Sequence, residues 1–360
     1  MFKNQTTIKK PRTEFFDATF IYFILLVSFV LIRILASANL LNFLGDFASY
    51  AFTILIQLGI MLFLPIFLYC KLRKKTLKET LKDFRFAKIN LKAIGIAVCI
   101  GVLVYILNIA VSSFFSLLIS LFGYENIGST STMDYSILAF FLALLTTALL
   151  PGFCEEIASR GLLLRGFKNL GMKKAILLSG LFFGLMHLNV DQFFYATIIG
   201  WFLAFICLTT GNIIPGMIIH FMNNGISTYM AYATHNGWPL GNILDPLQNV
   251  ASSGNYISTM LVIFLILITA VFLLIWLTYL LVKFTTLEKI KKLGEDLNQT
   301  LTSEDKTLKI NTLKIEIPFD ALGFSLKQKY YPPLRQKIFQ YSTIFLGVII
   351  LISTFIWGVL

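Results

Sequence analysis

Long apolar runs broken by short polar connections dominate the chain and set its architecture before any single residue is considered. A helix needs about 20 mostly apolar residues to cross a hydrocarbon core of roughly 30 Å. Nine runs meet or approach that length, near residues 19–38, 47–70, 93–121, 135–154, 173–188, 193–210, 213–232, 257–282 and 341–360. The pattern predicts an all-α polytopic transmembrane helix bundle of about eight to nine helices. One stretch departs from it: "KTLKINTLKIEI", residues 306–317, alternates apolar and polar positions as a short strand pair would.

Composition sharpens this reading. Hydrophobic residues make up 57% of the chain against 13% charged, with a mean hydropathy of +0.79, which excludes an ordinary soluble domain. A net charge of +12 raises the question of nucleic acid, and the placement of the basic residues answers it. Lys71, Arg73, Lys74, Lys75, Lys78, Lys82, Arg85, Lys88 and Lys92 crowd one connection, and Arg160, Arg165, Lys168, Lys173 and Lys174 another. The alternate connections "GYENIGSTSTMD" and "HNGWPLGNILDPLQNVASSGNY" carry no lysine or arginine. By the positive-inside rule this places the N-terminus in the cytoplasm and the C-terminus outside, with some attraction to anionic lipid. Lys3, Lys9, Lys10 and Arg12 precede the first run, which reads as an uncleaved signal anchor. Cys70, Cys99, Cys154 and Cys207 lie in or beside apolar runs without CxxC spacing, against both a disulfide framework and a zinc-thiolate site. No nucleotide-binding loop, redox motif or nucleic-acid module appears.

Three parts follow. Residues 1–132 hold three spans and the basic connector "KLRKKTLKETLKDFRFAKINLK", whose apolar positions allow an amphipathic surface helix. Residues 133–232 hold nearly all the unusual polar residues. Residues 233–360 add a polar loop, a long span, a cytoplasmic segment over 283–340 and a last span, and no role is assigned to them.

Candidate chemistry begins at "LLPGFCEEIASRGLLLRGF", residues 149–167. An ionisable residue within a span costs about 2.5–3.5 kcal/mol on insertion scales, so such residues face protein interior or a water-filled cavity. Glu156 and Arg160 are four apart and share a helical face suited to a salt bridge, whereas Glu155 projects about 100° away and stays free. The plain alternative is a solvated cap at the membrane edge. Two of the chain's three histidines also lie in apolar runs, His187 in "GLFFGLMHLN" and His220 in "GMIIHFMNNG". Phe183 and His187 are four apart, as are His220 and Asn224, so each pair projects from one face. Groups of this kind from three spans fit one buried polar site and suit two kinds of hydrolysis. In one, Glu155 is a general base with His187 orienting a water, and His220 and Asn224 donate to an oxyanion. In the other, Glu155, His187 and His220 hold a zinc that activates the water. Cys154 beside the glutamates reads as a small apolar residue rather than a nucleophile.

In these residues the chain resembles the type II CAAX prenyl endopeptidases and their bacterial relatives, the CPBP or Abi family of intramembrane proteases. EExxxR appears as "EEIASR", Glu155 to Arg160; FxxxH as "FGLMH", Phe183 to His187; and HxxxN within "HFMNN", His220 to Asn224. The resemblance covers roughly residues 133–232. It implies catalytic positions at Glu155, His187, His220 and Asn224, with Glu156, Arg160 and Phe183 in support, and it leaves metal against glutamate chemistry open. It also implies an intramembrane endopeptidase acting on a peptide or membrane-anchored protein. Bacterial members are linked to peptide maturation and bacteriocin self-immunity. Richness in Lys, Ile, Asn and Phe fits an AT-rich bacterial genome and hence a bacterial plasma membrane.

Two further expectations follow. Pro151 and Gly152 should kink or break their span, letting the "CEEIASRGLLLRGF" helix run within the membrane and bringing Glu155, from near the inner end, to the deeper histidines. A polar cavity open toward the cytoplasm should then join the three helices, with Gly180, Gly184, Gly200, Gly211, Gly216 and Pro215 available either to line it or to pack helices. The competing function classes are a non-enzymatic scaffold or immunity protein of the same fold, and an ion-coupled transporter, for which no inverted repeat is visible.

Overall fold

A computed structural model describes residues 14–37, 45, 47–124, 134–243, 256–300 and 334–359. Among these, the regular structure is helical: α1 Glu14–Ser37, α2 Ala48–Arg73, α3 Leu77–Asp83, α4 Leu91–Ser120, α5 Ile137–Gly166, α6 Met172–Met186, α7 Val190–Thr210, α8 Ile214–Asn236, α9 Tyr256–Thr300 and α10 Leu334–Val359. The expected strand pair over 306–317 lies outside the described residues. In the basic connector, α3 is a short helix closed by a capping box, in which Glu79 N–H donates to the Thr76 hydroxyl and Thr76 N–H to the Glu79 carboxylate.

The all-α polytopic bundle is present. Among the described residues six helices, α1, α2, α4, α5, α7 and α9, are long and apolar enough to cross a membrane. The other three expected runs are α6, α8 and α10. α6, at 15 residues, is short and buries its C-terminal half in the bundle, and α8 carries the polar residues His220, Asn223 and Asn224. α6 packs along α7, α8 along α4 and α5, and α9 along α4, while α1 and α2 pair with each other and with α5.

Two glycines set the closest approach. A Cβ on Gly180 of α6 would stand 2.1 Å from Trp201 Cδ1, and one on Gly200 of α7 would stand 2.9 Å from Gly180 Cα. With no side chain at either position the two backbones meet directly. At the basic end the helices are clasped by ion pairs. Glu14 meets Arg73 at 3.5 Å, Arg165 at 3.4 Å and Lys168 at 2.6 Å. Arg165 also reaches Asp83 at 3.2 Å and donates from Nε to the Tyr69 hydroxyl at 3.1 Å. The carboxylates of α1 and α3 thus tie down the ends of α2 and α5.

Pro151 does not break α5. The helix runs unbroken from Ile137 to Gly166 because its turns widen to π-helical form over Leu144–Leu149 and again over Ile157–Leu163. α2 carries a similar stretch over Leu55–Phe63, just before Pro65. Proline has no N–H to donate and crowds the carbonyl four residues back, and a widened turn ahead of it accommodates both problems. Glu155 therefore lies eleven residues inside the Gly166 end, about 16 Å along the axis, rather than near the end of its span as the apolar pattern implied.

Candidate functional site

The freed carbonyl is the first thing the proline positions. Thr147 O, which Pro151 cannot bond, accepts from Asn224 Nδ2 of α8 at 3.1 Å. Asn224 Oδ1 accepts in turn from Asn223 Nδ2 at 2.8 Å, and Asn108 Nδ2 of α4 donates to Asn223 Oδ1 at 3.3 Å. One amide hydrogen of Asn224 is thereby engaged and its second remains. The His220 side of α8 thus carries His220, Asn223 and Asn224 at i, i+3 and i+4.

The two glutamates divide as their helical angles predict. Glu156 is fully buried and its Oε1 meets Arg160 Nη1 at 2.9 Å, an i,i+4 pair with both side chains inaccessible. Arg160 Nη2 also donates to Gly200 O at 3.2 Å, and its guanidinium lies 4.5 Å over the Phe183 ring. Glu156 has a second partner that sequence spacing does not reveal: His220 Nδ1 stands 3.0 Å from the same Oε1. A Cβ on Gly216 would come within 3.1 Å of Glu156 Oε2, so a glycine there leaves the carboxylate its room. Since a carboxylate accepts, His220 Nδ1 carries a hydrogen and Nε2 is the nitrogen left for the cavity.

Glu155 points elsewhere. Its Oε1 accepts from Gln57 Nε2 of α2 at 2.8 Å, across 98 residues of sequence. His187 follows the last residue of α6, and Leu188 after it turns the chain with φ of 50°. Its Nδ1 donates to Phe183 O at 2.9 Å, which again leaves Nε2 free. The Phe183 ring meets the His187 and His220 rings edge-on, at 5.1 and 5.7 Å between centroids. Phe183 thus spaces the two imidazoles while carrying the Arg160 cation on the same ring.

A cavity of about 530 Å³ joins these groups; Gln57, Glu155, His187, His220 and Asn224 all line it. It lies between the α1–α2 pair and the α4–α7–α8 set. The expected cavity between three helices is there, but it does not run toward the basic connections. Part of its other polar lining, Arg33, Thr53, Gln192 and Thr228, sits toward the ends of α1, α2, α7 and α8 that point away from them. The cause is the unbroken α5: eleven residues of helix and the ion-pair clasp fill the basic end. None of Gly180, Gly184, Gly200, Gly211, Gly216 or Pro215 lines the cavity.

Taking the Ser179–Ser159 contact at 3.5 Å as a common level of α6 and α5, Glu155 stands about 6 Å and His187 about 12 Å further along, a difference that side chains reaching into one cavity span. Among the described residues, no three His, Cys, Asp or Glu side chains stand in an arrangement that would hold a metal ion. One nitrogen of each histidine and one oxygen of Glu155 are already engaged by protein groups. None of the four cysteines forms a disulfide, and Cys154 is fully buried.

Sequence reasoning missed Gln57, Asn108 and Asn223. The available signal was a lone amide in an otherwise apolar run, "ILIQLGIML" and "YILNIAV", the same clue that drew attention to the histidines.

Residues 137–226 match the family model described as type II CAAX prenyl endopeptidase Rce1-like. No curated protein and no solved structure matches the chain. The matched segment begins with α5 and ends two residues after Asn224, so it holds all three motifs, with α5, α6, α7 and the first half of α8, which all wall the cavity. Over this quarter of its length the chain is similar to the type II CAAX prenyl endopeptidase Rce1-like family, and its apolar helices are those of a multi-pass membrane protein.

Proposed function

We propose that the chain is an intramembrane endopeptidase in which Glu155 activates a water for attack on a peptide bond. The observation that carries this reading is the meeting of Glu155, His187, His220 and Asn224 on one polar cavity inside an apolar bundle. Glu155 accepts one proton as the water oxygen attacks the scissile carbonyl carbon. The developing oxyanion takes hydrogen bonds from the second amide hydrogen of Asn224 and from His220 Nε2 when that ring carries both protons. His187 lines the same cavity and orients the attacking water, its Nε2 donating to one of the water's lone pairs when that ring carries both protons. When the C–N bond breaks, Glu155 returns its proton to the leaving nitrogen. One water is consumed, and one carboxyl and one amine end are formed.

The reaction so written uses only this chain's residues. A zinc would have to be held by Glu155, His187 and His220, which as they stand form no metal-binding arrangement. The substrate class is a peptide or membrane-anchored protein. If the basic connections mark the cytoplasmic face of a plasma membrane, the cavity is reached from the opposite side or laterally.

The test compares wild-type protein with Glu155→Gln and His187→Ala in nanodiscs, on a mixture of quenched-fluorescent peptides, with and without a zinc chelator. Wild type should cleave, and each variant should lose about 10²–10⁴-fold of the rate. Chelation should leave wild-type cleavage intact, whereas its loss to the chelator and return on adding zinc would assign the metal route. If wild type cuts nothing while all three proteins fold alike, the scaffold or self-immunity reading takes its place.

A further inference from the structure

Gln57 is 5% exposed within an apolar helix, the kind of placement that requires its amide to be satisfied. Only half of it is. Nε2 donates to Glu155, and the buried Oε1 finds no hydrogen-bond partner among the described residues. An orphaned buried acceptor costs about 1–3 kcal/mol, so its retention needs a ligand or a function. Gln57 lines the same cavity as Glu155, His187 and His220. Since Nε2 must face Glu155, the planar amide has no freedom to turn its oxygen elsewhere. It sits on the π-helical stretch Leu55–Phe63, whose widened turns change which side chains point inward.

We infer that Gln57 is a further residue of the reaction site, fixing Glu155 through Nε2 and the attacking water through Oε1. This rests on the endopeptidase reading above. A water molecule has two hydrogens and two lone pairs. With one hydrogen accepted by Glu155 and the other by Gln57 Oε1, both hydrogens are fixed and a lone pair is aimed away from the two acceptors, toward the scissile carbonyl. Without Gln57 the water's second hydrogen would have no fixed acceptor. Gln57 exchanges no proton: as the water attacks, its transferred hydrogen goes to Glu155, and the one on Gln57 remains with the new carboxyl group. The arrangement also brings α2, which lies outside the matched family segment 137–226, into the active site.

The experiment uses full-length protein in nanodiscs and the same quenched-fluorescent peptide mixture. Gln57→Leu removes both hydrogen bonds at similar volume, and Gln57→Glu restores an acceptor for the water but loses the donor to Glu155. Both should lower kcat about 100-fold with KM within about twofold, because bound substrate still reaches the cavity. An independent readout is the Glu155 carboxylate stretching band, isolated at neutral pH as the infrared difference between each protein and its Glu155→Ala counterpart. The band should shift in Gln57→Leu, as a carboxylate losing a donor does. Wild-type kcat in Gln57→Leu, or a loss confined to KM, overturns the proposal. If Gln57→Leu fails to fold, Gln57→Met carries the same expectations. If wild type and Glu155→Gln are equally inert toward peptides, the endopeptidase reading fails by itself. The infrared band then tests the Gln57–Glu155 contact, and an unshifted band overturns that as well.

Discussion

Removing the Glu156 carboxylate tests whether it is structural in the sense the geometry implies. Its side chain and that of Arg160 are inaccessible to solvent, and Oε1 faces Arg160 Nη1 at 2.9 Å and His220 Nδ1 at 3.0 Å. Glu156→Ala strands a guanidinium in an apolar interior, where its remaining supports are Gly200 O and the face of Phe183. Breaking one side of a buried pair costs about 3–5 kcal/mol. Glu156→Gln keeps the shape and one acceptor but not the charge, and should cost less. The double variant Glu156→Met with Arg160→Met removes both charges and should recover stability relative to Glu156→Ala. The coupling between the two sites should then be about 1–3 kcal/mol. Equilibrium unfolding in detergent, followed by tryptophan fluorescence, measures the four corners of the cycle: wild type, Glu156→Met, Arg160→Met and the double variant. An unfolding free energy for Glu156→Ala within about 0.5 kcal/mol of wild type, or strict additivity of the two single changes, would refute the argument. His220 loses its orienting partner in the same variant, so residual activity should fall further than stability alone explains.

Two other expectations concern packing and pH. Gly180→Ala places a Cβ 2.1 Å from Trp201 Cδ1 and should cost about 1–3 kcal/mol, whereas Gly95→Ala, with nothing within 4 Å, should be neutral or stabilising by about 0.5–1 kcal/mol; the same unfolding assay separates them. At the basic end, burial pushes the Asp83 carboxyl up, but its bond to the Lys75 ammonium and the charge of Arg165 more than offset this and hold it below the ordinary value. The stability it contributes is therefore present above the ordinary carboxylate pKa of about 4 and is lost as pH falls through the lowered one. Acid unfolding midpoints should show this dependence weakened in Asp83→Asn, and an unchanged profile would remove Asp83 from the clasp.

Much of the site was legible along the chain because its motifs are local. Four-residue spacing on a helix fixes which side chains share a face, and it gave the Glu156–Arg160 pair and separated Glu155 from it without any tertiary information. The apolar runs gave an all-helical membrane bundle for a similarly local reason, since backbone polar groups in lipid must be satisfied within their own segment. The span count was less secure: length and hydropathy describe helices that face lipid, and α6 and α8 are held by protein instead.

What only the tertiary structure decided are the contacts between faces remote in sequence. Helical spacing fixed that Glu155 is free of Arg160, but not that Gln57 would meet it from α2, nor that His220 would lean on Glu156 rather than act beside Glu155 alone. The proline shows the same division. Locally, Pro151 removes one donor and crowds one carbonyl, which predicts a break. In the bundle a widened turn relieves the crowding and Asn224 supplies the missing donor, so α5 continues, Glu155 moves to mid-span and the cavity runs away from the basic end. The sequence by itself determined which groups each helix can present. How the helices pack determined which of them meet, because a bond withheld by one segment is satisfied by whichever neighbour the packing brings alongside.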